Sequence, residues 1–320
     1  MRPHFSWKLR SRSLPLGERT LVMGILNVTP DSFSDGGEFF SPDQALKRAL
    51  EILDQGADII DIGGESTRPG KRPPLPENEE HERIIPVIKS LCYERPDAVV
   101  SVDTYKAGIA RAAMDAGAEI VNDVSALCWD PAMAKAAAEL KSGVVLMHMR
   151  GRPEDWRHLP PISGDDLLPL VKRELSACAK FALEAGIAHE SMVLDAGFGF
   201  GKTFDENYPL LARFGELHEL GFPLLAGTSR KSFIGHTLAS HLPGRGDETQ
   251  DANAGHQTIA AKINNANNKE DRLHGTLATI TAAILQGAHI IRVHDVKAAL
   301  DAVKVSDKIL QASAKGGVKT

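Results

Sequence analysis

What most constrains this chain is a rhythm of short apolar runs separated by amphipathic stretches. Runs rich in β-branched and apolar residues recur at Leu21–Leu26, Asp58–Ile62, Ala98–Val102, Glu119–Val121, Gly143–Met147, Met192–Leu194, Pro223–Ala226 and His289–Val293. Between them, helical patterns cover stretches such as Pro42–Gln55, Glu77–Leu91, Lys106–Ala116, Pro131–Leu140, Asp165–Ala185 and Gly275–Gln286. Gly56, Gly117, Gly186 and Gly287 each follow such a stretch, where a left-handed residue closes a helix. Runs apolar on both faces and joined by helices imply a parallel sheet buried on both sides. Eight such units predict a closed (β/α)8 barrel, the TIM-barrel architecture of the α/β class, in preference to an open doubly wound sheet.

The length of 320 residues, which would also suit two average domains, is then one domain over 1–320 with additions. Residues 1–20 form an N-terminal extension, in which Phe5-Ser6-Trp7-Lys8-Leu9-Arg10 and Leu14-Pro15-Leu16-Gly17 read as a small hairpin capping the barrel. Arg2, Lys8, Arg10, Arg12 and Arg19 against Glu18 hint at an organelle leader. An apolar signal core and a cleavage site are absent, and a cytoplasmic location is expected. Residues 242–272, polar and Asn-rich, read as an exposed insertion in the seventh βα unit. A net charge of −5 argues against a nucleic-acid surface. No run reaches the ~18–20 apolar residues of a membrane helix. Three separated cysteines, Cys92, Cys128 and Cys178, make no disulfide framework.

In this architecture chemistry belongs at the carboxyl ends of the strands. Read in order, those ends are Asn27, Glu65 to Arg68, Asp103, Asn122-Asp123, His148, Asp195, Ser229-Arg230-Lys231 and Arg292-Val293-His294. Singly, an Asp or Asn after a strand often only caps the next helix, the favoured reading for Asp123 and Asp295. Together they resemble the floor of a polar pocket. Asp103, Asn122 and Asp195 form an acceptor-rich set suited to a flat heterocycle with an amino-amidine edge, whose parallel N–H groups a carboxylate can accept. Arg68, Lys231, Arg292 and His294, with Asn27, suit a phosphate or pyrophosphate. The competing explanation is a ring of opposite charges that satisfies itself. Loops Asn27–Gly37, centred on Phe33, and Gly63–Gly70 have the Gly, Pro and hydroxyl composition of segments that close over a ligand.

Look-alike motifs fail. Gly197-Phe198-Gly199-Phe200-Gly201-Lys202-Thr203 resembles a phosphate-binding loop, but Ala196 stands where that pattern needs its first Gly. As a dinucleotide fingerprint it has Lys202 in place of the third Gly. His-Glu-x-x-His and Gly-x-Ser-x-Gly are absent, and the 12 histidines are scattered, which argues against zinc.

Taken together, the long signatures resemble the dihydropteroate synthases. They are Gly24–Gly37, Asp58–Gly70, Ser101–Thr104, Val121–Asp123, Leu194-Asp195 with Gly197–Lys202, Gly227–Ser232 and Arg292–Val296, within a match from about Leu21 to Leu300. The resemblance implies condensation of 6-hydroxymethyl-7,8-dihydropterin pyrophosphate with 4-aminobenzoate. It implies that Asp103, Asn122, Asp195 and Lys231 hold the pterin, and that Thr67, Arg68, Arg292 and His294 bind pyrophosphate. Asn27 would contact a magnesium ion on that group. Ser229 and the two loops would form the aminobenzoate site, where sulfonamides compete. Lys231, Arg68, Asp35 and Asp31 are implied in catalysis, and Phe33, Pro69, Met147 and Phe200 as further substrate contacts. A homodimer is also implied, with neither nucleic acid nor membrane as partner. Two departures stand out: Ala196 where the family commonly has Pro, and the length of Leu242–Arg272. The alternatives are a methyltetrahydrofolate–corrinoid methyltransferase, which would not need the Thr-Pro-Asp-Ser-Phe loop, a pterin-binding paralogue without turnover, and a barrel enzyme for another phosphate ligand.

Overall fold

The computed structural model describes residues 2–29, 42–65, 74–156, 158–240 and 272–316. Its centre is a closed barrel of eight parallel strands: β3 Leu21–Asn27, β4 Ile59–Gly63, β5 Val100–Asp103, β6 Ile120–Asp123, β7 Gly143–Met147, β8 Met192–Asp195, β9 Leu224–Ala226 and β10 Ile290–Val293. They pair in chain order, and β10 closes the ring against β3 with Ile290 opposite Leu21. Helices α1 Pro42–Asp54, α2 Glu77–Glu94, α3 Ala107–Asp115, α4 Met133–Leu140 and α5 Gly164–Glu184 follow the first five barrel strands in turn. Then come α6 Asn207–Ala212, α7 Ser232–Ser240, α8 Leu273–Leu285 and α9 Val296–Gly316. The expected barrel is the observed one. Its strand boundaries shift by only one or two residues, mostly because the final polar residue still makes ladder hydrogen bonds.

Two apolar layers follow from strand alternation. Ile60, Ile62, Val100, Val102, Val121 and Leu194 point outward against helix residues such as Ile84, Ile88, Ala110 and Leu175. Inside, at the amino ends of the strands, Met23, Ile59, Val99, Ile120, Val145, Val193, Leu225 and Ile290 form a separate cluster with Trp7, Leu9 and Leu16.

Those last three residues come from the hairpin of β1 Phe5–Lys8 and β2 Ser13–Leu16, which pair antiparallel. Trp7 is fully buried and donates from Nε1 to the Ser191 carbonyl at 2.9 Å. The extension is therefore a plug in the lower mouth of the barrel. Arg2 fastens it to the last helix, donating to Thr20, to the Ala288 carbonyl and to Asp307. His289 completes the seal: its Nδ1 accepts from the Leu224 N–H, and its Nε2 donates to the Pro3 carbonyl. Burial pushes its pKa down to about 3, so the ring stays neutral. The lower mouth is thus filled by apolar side chains, and the polar strand ends lie at the opposite mouth.

Replacing Trp7 with Ala removes a buried indole and its hydrogen bond, and is expected to lower stability by about 3–5 kcal/mol. Chemical denaturation measures it; a loss below about 1 kcal/mol would show that the plug is not part of the folding core.

Candidate functional site

Above the apolar layer the barrel interior turns polar. Asp61, midway along β4, is completely buried. Its Oδ2 accepts from Arg292 Nε on β10 at 2.6 Å and from Asn122 Nδ2 on β6 at 3.0 Å. Arg292 Nη2 donates to Asp103 Oδ2 on β5 at 2.6 Å. One network thus joins four strands and three residues expected in the site. Burial opposes the Arg292 charge, but Asp61 and Asp103 more than offset it and hold its pKa above the ordinary range. Burial pushes Asp103 up to about 7 against the pull of Arg292, with Asp61, Glu80 and Asp123 adding to the rise. Sequence reasoning missed Asp61 because it sits inside the apolar run Ile59-Ile60-Asp61-Ile62. The available signal was a lone carboxylate in a strand buried on both faces, where a charge must be paired. Arg292, expected as an anion donor, also stitches together the acceptor side of the site. To that extent the self-satisfied ring of charges is real.

A second group lies across β8 and β9. Asp195, ending β8, is buried, and its Oδ1 accepts from the Gly197 N–H at 2.7 Å. Burial raises its pKa, against that hydrogen bond and the nearby Lys231 and Arg292. Met147, buried at the end of β7, is the register neighbour of Asp195. Lys231 Nζ rests 3.8 Å above the centre of the Phe200 ring, a cation–π contact, and Trp156 packs edge-on against Phe200 at 5.6 Å. Beyond β9 and β10, Ser229 Oγ and His294 Nδ1 are 3.0 Å apart. Asn27, half-buried at the end of β3, is paired in register with Gly63, itself paired with Asp103. Asp31, Phe33, Asp35, Thr67, Arg68, Pro69 and 242–271 lie outside the described residues.

Not every polar strand end belongs to the pocket. Glu65 is bound by Lys106 at 2.7 Å and by the Tyr105 hydroxyl at 3.1 Å. Asp123 accepts from the Ser125 and Leu127 N–H groups of the turn after β6, and not from the next helix, which it was expected to cap and which begins only at Met133. Arg230 is paired with Asp295, and His148 with Glu174. These four side chains serve local partners, while Asn122, Ser229 and Lys231 at two of the same strand ends stay with the site. The reason is that loops leaving a strand also need anchors for their own backbone and charges. A groove of about 890 Å³ between α2 and α3 contains no strand-end residue, whereas a 430 Å³ cavity beside the upper mouth is lined by Met147, His148, Trp129 and Glu174.

For a metal, the described residues hold no cluster of three or more His, Cys, Asp or Glu side chains suited to ligation. Asn27 offers one hard amide oxygen at the mouth. That donor fits magnesium carried by substrate phosphates and water, which needs few protein ligands.

The sequence profile of the pterin binding enzymes matches residues 23–294. The dihydropteroate synthase of Bacillus subtilis (strain 168) is 43% identical over 306 residues, covering 96% of this chain and 93% of that protein. The dihydropteroate synthase of Xanthomonas albilineans, solved with 4-aminobenzoic acid, is 40% identical with a TM-score of 0.79, over 97% of this chain and 99% of that one. That of Yersinia pestis, solved in a sulfonamide drug complex, is 40% identical with a TM-score of 0.80, over 96% of this chain and 100% of that one.

Because the Asp103 pKa is raised in the fold, the Asp103 carboxyl holds more proton in the folded than in the unfolded chain between about pH 4 and 7, whereas His289 and His148, lowered in the fold, act in the opposite direction. The Asp103 contribution to stability therefore falls as pH rises through that window. Carbon-13 NMR of the Asp103 carboxyl is expected to titrate near 7, and Asp103→Asn to lose this component of the stability profile. A carboxyl midpoint near 4 would contradict the assigned environment.

Proposed function

The chain belongs to the pterin binding enzyme family, and we propose that it catalyses the dihydropteroate synthase reaction, joining 6-hydroxymethyl-7,8-dihydropterin pyrophosphate to 4-aminobenzoate with release of pyrophosphate. The observation that carries this reading is the meeting, at one end of one barrel, of buried acceptors on β5, β6 and β8 with basic side chains at the ends of β9 and β10. Asp195 and Asn122 suit the N–H donors of the pterin edge, with Asp103 beside them. Lys231 and Phe200 suit the ring's acceptors and its face. Arg292 and His294, with Arg68 and Thr67, take the pyrophosphate. Met147, the register neighbour of Asp195, lies at the pterin end, while Ser229 and Pro69, with Phe33, border the aminobenzoate, where a sulfonamide competes.

The chemistry asked of the chain is mostly electrostatic and positional. The carbon–oxygen bond to pyrophosphate breaks with its electron pair leaving on the pyrophosphate oxygen, and the aminobenzoate nitrogen bonds to the same exocyclic carbon and then loses a proton to the released pyrophosphate or to water. The dihydropterin ring can share the positive charge on that carbon, so bond breaking can run ahead of attack. Cationic side chains stabilise the charge growing on the departing pyrophosphate. Magnesium held by Asn27 would add Lewis-acid stabilisation of that leaving group when bound. Asp31 and Asp35, which follow β3 in the chain, are the carboxylates that the family resemblance implies in catalysis. Water excluded from the site would be unable to capture that carbon, and a held substrate pair would orient the weakly basic aniline. The described residues near the pterin end include no free strong base, and the step needs none. A homodimer in the cytoplasm belongs to the same reading and follows from family resemblance. Among the described residues no helix is long and apolar enough to cross a membrane.

Asp195→Ala and Lys231→Ala are each expected to abolish binding of the pterin pyrophosphate, read by calorimetry; unchanged affinity would refute the pocket assignment. With both substrates and Mg²⁺, pyrophosphate release should depend on 4-aminobenzoate. Release without the amine, or no release from protein that binds the pterin, would favour a different activity or a silent binding module.

A further inference from the structure

The segment Gly197–Thr203, rejected above as a phosphate-binding loop, uses its lysine in another way. Lys202 points inward and is only 7% exposed. Its Nζ lies 2.8 Å from the Gly197 carbonyl, 3.3 Å from the Phe200 carbonyl and 2.9 Å from His148 Nδ1, with the His148 carbonyl at 3.5 Å. His148 Nε2 in turn donates to Glu174 at 3.0 Å, which leaves Nδ1 to accept from the lysine. Burial and the neighbouring Lys202 push His148 down to about 4, consistent with a neutral acceptor ring.

The loop is pressed against the strand-end segment after β7 with no room between. Gly197 and Gly201 have φ of +64° and +66°. A Cβ on Gly197 would fall 1.8 Å from the His148 carbonyl, and one on Gly201 2.1 Å from the Arg150 carbonyl. Backbone so close, with inward-facing carbonyls, needs an internal donor, because an unpaired buried carbonyl costs about as much as a lost hydrogen bond. Phe198 is fully buried in the layer between barrel and helices, beside Phe214, so the loop is anchored there, and what it presents to the site is Phe200 and the Gly197 N–H held by Asp195.

We propose that Lys202 is a positioning residue for this site: by gathering the Gly197 and Phe200 carbonyls and the His148 ring on one amine, it sets the loop that carries Phe200 to Lys231 and holds Asp195 through the Gly197 N–H. The inference rests on the reading of Asp195, Phe200 and Lys231 as the pterin end of the site. Lys202 touches no substrate in this scheme. Its effect falls on the pterin half, whereas Ser229, on the aminobenzoate side, has its hydroxyl on His294 and shares none of the hydrogen bonds of Lys202.

Lys202→Met keeps an unbranched apolar stem, one atom shorter, but removes every donor. In the full-length protein, calorimetry with 6-hydroxymethyl-7,8-dihydropterin pyrophosphate is expected to show roughly 10- to 100-fold weaker binding. The KM for 4-aminobenzoate should change less than about threefold, because uniform binding of that substrate is untouched. A folded Lys202→Met protein with wild-type pterin affinity overturns the proposal, and so do equal losses for both substrates in step with a lowered melting temperature. If Lys202→Met does not fold, His148→Leu carries the test: it removes one acceptor, and pterin binding should weaken roughly 3- to 10-fold, with no change again overturning the proposal. Wild-type protein that binds no pterin pyrophosphate would refute the site reading itself, a result distinct from wild-type and variant binding it equally.

Discussion

The pairing of Arg292 with Asp61 and Asp103 is the interaction on which the rest of the site depends. Three charged groups inside a barrel would each lose several kcal/mol of hydration if left alone. At 2.6 Å on either side, the guanidinium offsets much of that loss for both carboxylates, and Asn122 takes a further lone pair of Asp61. The gain is geometric more than energetic, since a packed apolar layer of the same volume could be as stable. What the network supplies is a fixed relation between β4, β5, β6 and β10, so the acceptors for a ring and the cation for its leaving group are held in one frame before any ligand arrives.

The two ends of the barrel solve opposite problems with the same alternation. At the amino ends of the strands, inward residues are large and apolar, and Trp7, Leu9 and Leu16 from the hairpin fill what they leave. Polar groups there, such as Arg2 and His289, are spent on fastening the plug. At the carboxyl ends the inward residues are Asp61, Asp103, Asn122 and Asp195, and each has a partner from another strand or from its own turn. A stable, sealed base tolerates the cost of keeping this upper layer charged.

Much of this was legible in the chain. The strands, their order and the carboxyl-end residues Asp103, Asn122, Asp195, Ser229, Lys231, Arg292 and His294 follow from periodicity and from the polar residue that ends each run. The hairpin was legible too, because Trp7 and Leu9 alternate with Ser6 and Lys8 against the Leu14 and Leu16 strand. Asp61 was not, because a single acid within an apolar run carries no local sign of its partner 231 positions away. Lys202 was not, because a lysine after glycines in a loop looks solvated until the fold turns it inward.

Local patterning alone therefore determined the barrel, its plug and the list of polar groups at its mouth, since strand period, helix closure and chain order are written residue by residue. Tertiary structure decided which of those groups face one another. Glu65, Asp123 and Arg230 were drawn off to Lys106, to a local turn and to Asp295, while Asp61 and Lys202 were recruited. The reason is that a buried charge or carbonyl is stable only with its partner in place, and partners are chosen by distance in space, which closing the barrel creates.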